Sequence, residues 1–304
     1  MPTPVSVNPV DYGAAFDGVT DDTAAWAATV AAAVASNLSV KAPPGTSLIS
    51  APIVIPQGMA FEGSGSGCTT IAVAGGNTGI DVQTADQVLI AHLTVNCLNA
   101  GQIGINVTPA ATNLKSEIAD VGFQHCAIAA RMGNAANWTL HDCNFSAAGL
   151  SGATGIYVAN PVTPDSGDST IYGNLISGNG ATGSVGISQV SSGGLRIENN
   201  KIIHWTYGYL MQLAAGVATS DLIIVGNSIE HSMTAAVTFN KNAGATFGNV
   251  VIVGNQIGTN TPTGIWNAGG AGWLQGVGIV ANRLNSTTNI SMAGVTGLVT
   301  ANNF

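Results

Sequence analysis

From about residue 70 to the end of the chain, two phrases of apolar and polar positions alternate. The first is an apolar run with every second residue aliphatic, ending in a turn: LRIENNKI from Leu195, LIIVGNSI from Leu222, VVIVGNQI from Val250, VGIVANRL from Val277 and LVTANNF from Leu298, with STIYGNLI from Ser169 as a weaker copy. The second is a small residue followed by an aliphatic strand: TGIDV, IGINV, CAIAA, TGIYV, VGISQ, YGYLM, AAVTF, TGIWN and NISMA. A spacing of two puts alternate residues on opposite faces of a strand, and Gly or Asn interrupts the pattern too often for a helix.

Aligned on its turn residue, the first phrase gives Asn174, Asn200, Asn227, Asn255, Asn282 and Asn302, in steps of 26, 27, 28, 27 and 20. The column extends back to Cys143, Val121 and Leu93. The second phrase gives nine positions: Ile80, Ile105, Ile128, Ile156, Ile187, Tyr209, Val237, Ile265 and Ile290. A unit near 27 residues that cannot bury its apolar side alone must stack on its neighbours, which predicts a solenoid of nine to ten coils of parallel strands. At a coil spacing of about 4.8 Å, stacked Asn side chains hydrogen-bond up the column and satisfy backbone groups left unpaired by the bend.

The first 70 residues read differently. Thr20 is the expected N-cap of a helix, with Asp21 and Asp22 in its first turn, an alanine-rich body and a stop near Ser36–Asn37; Trp26 and Val30 share one face. Asp17, Asp21 and Asp22 have capping and turn roles ahead of a metal role. Gly63, Gly65 and Gly67 form a turn, since their spacing is not that of a phosphate cradle. The segments DYGAAFDGVTDDTAA, APPGTSLIS and FEGSGSGCTTI resemble the opening of the pectate-lyase-like superfamily, which includes polysaccharide lyases, polygalacturonase-like hydrolases and phage tailspikes. Ser47 stands where relatives usually carry an aromatic residue. The resemblance implies an all-β, single-stranded right-handed parallel β-helix with a short N-terminal capping α-helix: residues 1–70 as the capping segment and first coil, 71–304 as the β-helix.

Composition narrows the partners. Only 7% of residues are charged and the net charge is −8, so no basic patch awaits nucleic acid, and the surface must be covered by Ser, Thr, Asn, Gln and 40 Gly. Such a surface suits a hydroxyl-rich ligand. No apolar stretch is long enough for membrane insertion, and Met1–Asn8 lacks the features of a signal peptide, which points to a virion-associated protein or to non-classical release, otherwise to the cytoplasm. Cys68, Cys97, Cys126 and Cys143 form no CxxC pair and are expected as buried thiols. No cofactor and no resident metal are expected.

Candidate chemistry lies on outward positions. Two residues before the turn column come His141, Tyr172, Glu198, Val225 and Val253, with Asp142 beside His141, Arg196 two residues before Glu198, and Asp168 leading into the Tyr172 strand. Glu198, Asp142, Asp168 and His141 are the candidate catalytic acids and bases; Tyr172 and Arg196 are candidate sugar contacts. The competing reading is an ordinary polar face with a Glu198–Arg196 ion pair. A second column, His125, His204 and His231, has Trp205 and Glu230 beside it as further substrate contacts. The insertion from Asn160 to Thr170, with Asp165 and Asp168, could wall a groove, and Trp266 and Trp273 are expected as exposed rings. Ile223, Val225, Val251 and Val253 point outward and call for association, most simply a homotrimer. The function expected from the resemblance is cleavage of an extended polysaccharide by hydrolysis or β-elimination; a non-catalytic glycan-binding or fibre-shaft role is the alternative.

Overall fold

The computed structural model describes residues 6–84, 87–107, 115–133, 137–146, 150–159, 168–191, 193–301 and 303. Its strands pair in parallel with the strand one coil away, forming a β-solenoid of about nine turns with three outer faces. Face A carries the first phrase before its turn, with strands such as Trp138–His141, Thr170–Tyr172, Leu195–Glu198, Ala218–Val225 and Thr246–Val253. Face B follows the turn, with Asn144–Ser146, Leu175–Ser177, Lys201–Ile203 and Ser228–Glu230. Face C is the second phrase, from Thr78–Thr84 through Ile103–Val107, Ile128–Gly133, Thr154–Ala159, Val185–Ser191, Tyr207–Leu213 and Ala235–Lys241. One continuous apolar core runs inside from Val7 to Met292.

The corner between faces A and B holds the asparagine ladder. Asn200 Oδ1 accepts from the backbone N–H and Nδ2 of Asn174 at 3.0 and 2.8 Å, Asn227 Oδ1 does the same for Asn200, Asn255 for Asn227, and Asn282 for Asn255. Each Nδ2 also donates to a strand carbonyl of the preceding coil, as Asn227 does to Ile197. The ladder ends on Asn303, whose Oδ1 accepts from Asn282, so the alignment on Asn302 was one residue short; Asn302 itself lies outside the described residues. Register on face C places Ala130 beside Ile105 and Ile156, correcting Ile128, which opens the strand beside Ile103. Ile53 adds a further member at the start of the column.

The turn before each ladder residue is a single residue in the left-handed region: Asp142, Gly173, Asn199, Gly226, Gly254 and Ala281 have φ of 53, 67, 53, 67, 65 and 54°. Gly, Asn and Asp tolerate that region best. Small residues are required elsewhere for a different reason. At the second-phrase glycines the next coil lies directly against the backbone: a Cβ on Gly155 would stand 2.6 Å from the carbonyl oxygen of Gly186.

The helix α1 spans Thr23–Ser36 and starts later than Thr20, because the strand Asp17–Asp21 runs through Thr20 and the N-cap position falls to Asp22. Asp22 accepts from the N–H of Ala15 and Phe16 and from the Ser47 hydroxyl, while Asp21 accepts from the N–H and hydroxyl of Thr23 and from Ser50. The Ser50 and Thr23 hydroxyls hold the Asp21 carboxyl down to about 2. Ser47 accepts from the indole N–H of Trp26 at 2.7 Å and donates its hydroxyl to Asp22 at 2.8 Å, so helix and first coil are joined by a buried chain of hydrogen bonds.

Cysteine usage departs from the expectation of free thiols. Cys97 and Cys126 form a disulfide between adjacent coils, with Cα atoms 5.0 Å apart, while Cys68 is an exposed thiol and Cys143 a buried one. Their separation of 29 residues is about one coil, and stacking alone brings them within bridging distance. Burial pushes the Cys143 thiol up to about 12.

Asn227→Ala should lower unfolding free energy by about 2–3 kcal/mol in denaturant titration, because it strands buried groups of Asn200. Breaking the bridge with Cys97→Ser and Cys126→Ser should cost about 3–4 kcal/mol by loop-closure entropy. Thiol labelling of the native protein should find Cys68 alone and reach Cys143 only after unfolding.

Candidate functional site

On face A the outward column is Ala91, Ala119, His141, Tyr172, Glu198, Val225 and Val253, one per coil, as the spacing predicts. Neighbouring side chains on one face of a parallel sheet stand about 4.8 Å apart, which suits ring stacking. The His141 and Tyr172 rings accordingly lie 4.7 Å apart at an interplanar angle of 3°.

Both imidazole nitrogens of His141 meet carboxylates. Nε2 is 2.6 Å from Glu117 Oε1, and Nδ1 is 2.8 Å from Asp142 Oδ2. The His141 side chain is 14% exposed, those of Glu117 and Asp142 47% and 65%, so the ring is covered while each carboxylate keeps a face to solvent. Partial burial alone pulls the His141 pKa down, but the hydrogen bonds and charges of Asp142 and Glu117 outweigh it and raise the pKa above the ordinary histidine value. Slight desolvation and the same two carboxylates raise the Tyr172 phenol as well. The imidazole thus lies between the two carboxylates and holds one on each nitrogen.

Glu117 was not among the sequence-derived candidates. Its strand lies one coil before that of His141, opposite Thr139, and only register brings its carboxylate onto the ring. The long side chain reaches diagonally, a contact that column alignment does not search. One coil beyond Tyr172, Arg196 Nε donates to Glu198 Oε1 at 2.7 Å, realising the ion pair that was the alternative reading of Glu198.

Asp168 does not join this group. It is exposed in the left-handed region (φ 66°) at the corner entering face A, four residues before Tyr172, or about 13 Å along an extended strand. Asp165 and the rest of residues 160–167 lie outside the described residues. The histidine column is also a corner column: His125, His204 and His231 have φ of 58, 60 and 54°, and His204 and His231 stand 5.0 Å apart, ring to ring. Glu230 accepts from Ser228 and from Gln256 Nε2. Trp205 is corrected. It is fully buried, with its indole N–H donated to the Ile176 carbonyl, and has no part in an outer surface. Trp273 is likewise buried, bonded to Asn267, whereas Trp266 is half-buried on face C.

A second polar stripe was missed altogether. Register on face C aligns Asp81, Asn106, Arg131, Tyr157 and Ser188 on consecutive coils. Asn106 Nδ2 donates to Asp81 at 2.8 Å, and the Arg131 guanidinium lies 5.8 Å from the Tyr157 ring centroid. Each of these residues follows an inward aliphatic position of the second phrase, and that was the signal available. Among the described residues no group of three or more His, Cys, Asp or Glu side chains is placed to hold a metal ion, and no helix is long and apolar enough to cross a membrane.

With this geometry, the chain belongs to the pectate lyase-like family: the model described as rhamnogalacturonase A/epimerase, pectate lyase-like, matches residues 6–189, and that of the right-handed beta helix region matches residues 103–284. Among solved structures, an exopolygalacturonase from Thermotoga maritima is similar over 100% of this chain and 92% of its own, with a TM-score of 0.68 at 8% identity. The surface protein and adhesin PfbA of Streptococcus pneumoniae is similar over 98% and 97%, with 0.64 at 13%. The Dettilon tailspike is similar over 98% of this chain, which spans 62% of that one, with 0.59 at 15%. These likenesses establish the fold that the chain shares with carbohydrate-active enzymes and tailspikes. No curated protein sequence is matched.

Titrating the ring of His141 by NMR should give a pKa above the ordinary value of about 6.5, and Glu117→Gln or Asp142→Asn should lower it. Because the folded pKa is raised, the paired ring stabilises the fold fully below the unfolded value. That contribution is lost as pH rises through the folded value, and the loss should shrink in either variant.

Proposed function

We propose that the protein binds an extended polysaccharide along its coils and hydrolyses it at the Glu117–His141–Asp142 cluster of face A. The observation that carries this reading is the pair of solvent-facing carboxylates held on opposite nitrogens of one imidazole, beside an aromatic ring. The His141 imidazolium holds the acid proton: Nε2 gives it up through the Glu117 carboxylate to the glycosidic oxygen as the bond to the leaving sugar breaks, and the ring, left neutral, is reprotonated from solvent. Asp142, the more exposed, activates the water. Tyr172 and the Glu198–Arg196 pair, on the next two coils, offer a ring face and hydrogen-bonding groups to neighbouring sugars. Arg196 on this face is paired with Glu198, while the cluster presents two carboxylates and a proton-carrying ring, the groups that acid–base hydrolysis uses. Hydrolysis is therefore preferred. The fold supports the substrate class, being shared with polysaccharide-active proteins such as the exopolygalacturonase.

One observation favours a non-catalytic glycan-binding role instead. Both nitrogens of His141 and the Glu198 carboxylate already have partners within the chain. Association of copies through Ile223, Val225, Val251 and Val253 belongs to the same proposal; Val251 is 43% exposed, and a trimer in sedimentation is the expected state.

Incubation with a panel of bacterial exopolysaccharides should release reducing ends without unsaturated uronate absorbance. Glu117→Gln and Asp142→Asn should each lower kcat by about 10²–10⁴ while the circular dichroism is unchanged. Glu198→Gln should act mainly on KM. Retained polymer binding with no new reducing ends would establish the non-catalytic role, and unsaturated products would replace hydrolysis with elimination.

A further inference from the structure

Near the end of the solenoid two successive coils differ in length on the corner between faces B and C. In the strand Gln256–Asn267, four steps separate Ile257 from Thr261, while the paired strand Arg283–Ser291 takes two from Leu284 to Ser286. The last coil is thus two residues shorter here than the one before it, and the longer coil has Gly258 and Asn260 in the left-handed region at φ of 92 and 55°. Such a register shift re-aims side chains and leaves residues without a partner on the neighbouring strand. Here lies a concavity of about 510 Å³ lined by Asn260, Thr261, Pro262, Asn285, Ser286 and Thr287.

This lining has no charged side chain. Amides and hydroxyls supply donors and acceptors, and proline supplies an apolar patch, a lining that suits a neutral polyhydroxylated ring. One wall is braced from the preceding coils. Asn260 Nδ2 lies 3.0 Å from His231 Nε2, and the His231 ring packs against His204, while Thr261 Oγ1 accepts the N–H of Ser232. The histidine column singled out in the sequence thus abuts this pocket, on a different corner from the Glu117–His141–Asp142 cluster.

We propose that this pocket is a second saccharide site, binding one or two residues of a neutral sugar, with His204 and His231 as positioning residues for Asn260. It rests on the glycan reading of the fold but not on cleavage. The acidic sugars of a uronate polymer find no cation in it.

Binding of maltose, cellobiose and N,N′-diacetylchitobiose to the full chain, followed by ligand-observed NMR and calorimetry, tests it, with digalacturonate as the charged comparator. At least one neutral disaccharide should bind with a Kd of about 1 mM or tighter. Thr287→Trp and Asn285→Trp, at exposed positions, should each weaken that binding about tenfold or more. Glu117→Gln and Asp142→Asn should leave it unchanged, so a protein that cleaves nothing can still satisfy the test. No binding by any neutral disaccharide, tighter binding of digalacturonate, or affinity unaltered by both tryptophan variants would overturn the proposal.

Discussion

Parallel stacking of successive coils in register is the constraint from which every other feature follows. A parallel edge strand leaves N–H and C=O groups open along its length, and each coil closes those of the one before it. The corners are where this fails, because the chain must bend and its backbone groups turn away from the neighbouring strand. Asn174 to Asn303 repair that failure with one side chain per coil, each accepting from the coil below and donating to a strand carbonyl. A buried amide is costly when alone and strongly bound when every lone pair and proton has a partner, which is why the column is uninterrupted across the last six coils. Toward the N-terminus the same column turns apolar, at Cys143, Val121 and Leu93, and the corner there is held by packing instead.

The same constraint explains why functional and structural polar residues are hard to tell apart in such a chain. Three corners need a residue in the left-handed region on nearly every coil, and Asp, Asn and His accept it more readily than other side chains. Asp142, Asp168, His204 and His231 all occupy such positions, so their recurrence in columns has a backbone cause. Strand positions carry no such demand. His141, Tyr172, Arg196 and Glu198 on face A, and Asp81, Arg131 and Tyr157 on face C, are polar or aromatic without a conformational reason, and that is what marks them as candidates for chemistry. Asp142 belongs to both groups: the bend fixes its backbone, and the bend also aims its carboxylate at the imidazole beside it.

What the sequence could not supply is contact between residues of different columns. Column alignment finds partners at the same height on the same face, which is how His141, Tyr172 and Glu198 were found. Glu117 reaches His141 across both a coil and two positions along the strand, and the Cys97–Cys126 bridge crosses a corner; both separations are close to one coil length, a hint visible only once the repeat is known. Trp205 and Trp273 failed for another reason. An aromatic residue next to a polar corner looks exposed in a linear pattern, but the interior of a solenoid corner has room for a large ring, and a carbonyl or amide there takes the indole proton.

By itself the sequence determined the architecture, because a period of about 27 residues with apolar spacing of two has one economical solution, and determined the ladder, because amides at one turn of every unit must stack. It also named the His141–Tyr172–Glu198 stripe, since outward alternation is a property of the strand alone. Tertiary structure decided the rest: which carboxylate meets His141, which histidines border a cavity, and where a register shift between the last two coils accompanies that cavity. Those depend on small differences in coil length and register, which leave the hydrophobic pattern intact while shifting side chains by several ångströms.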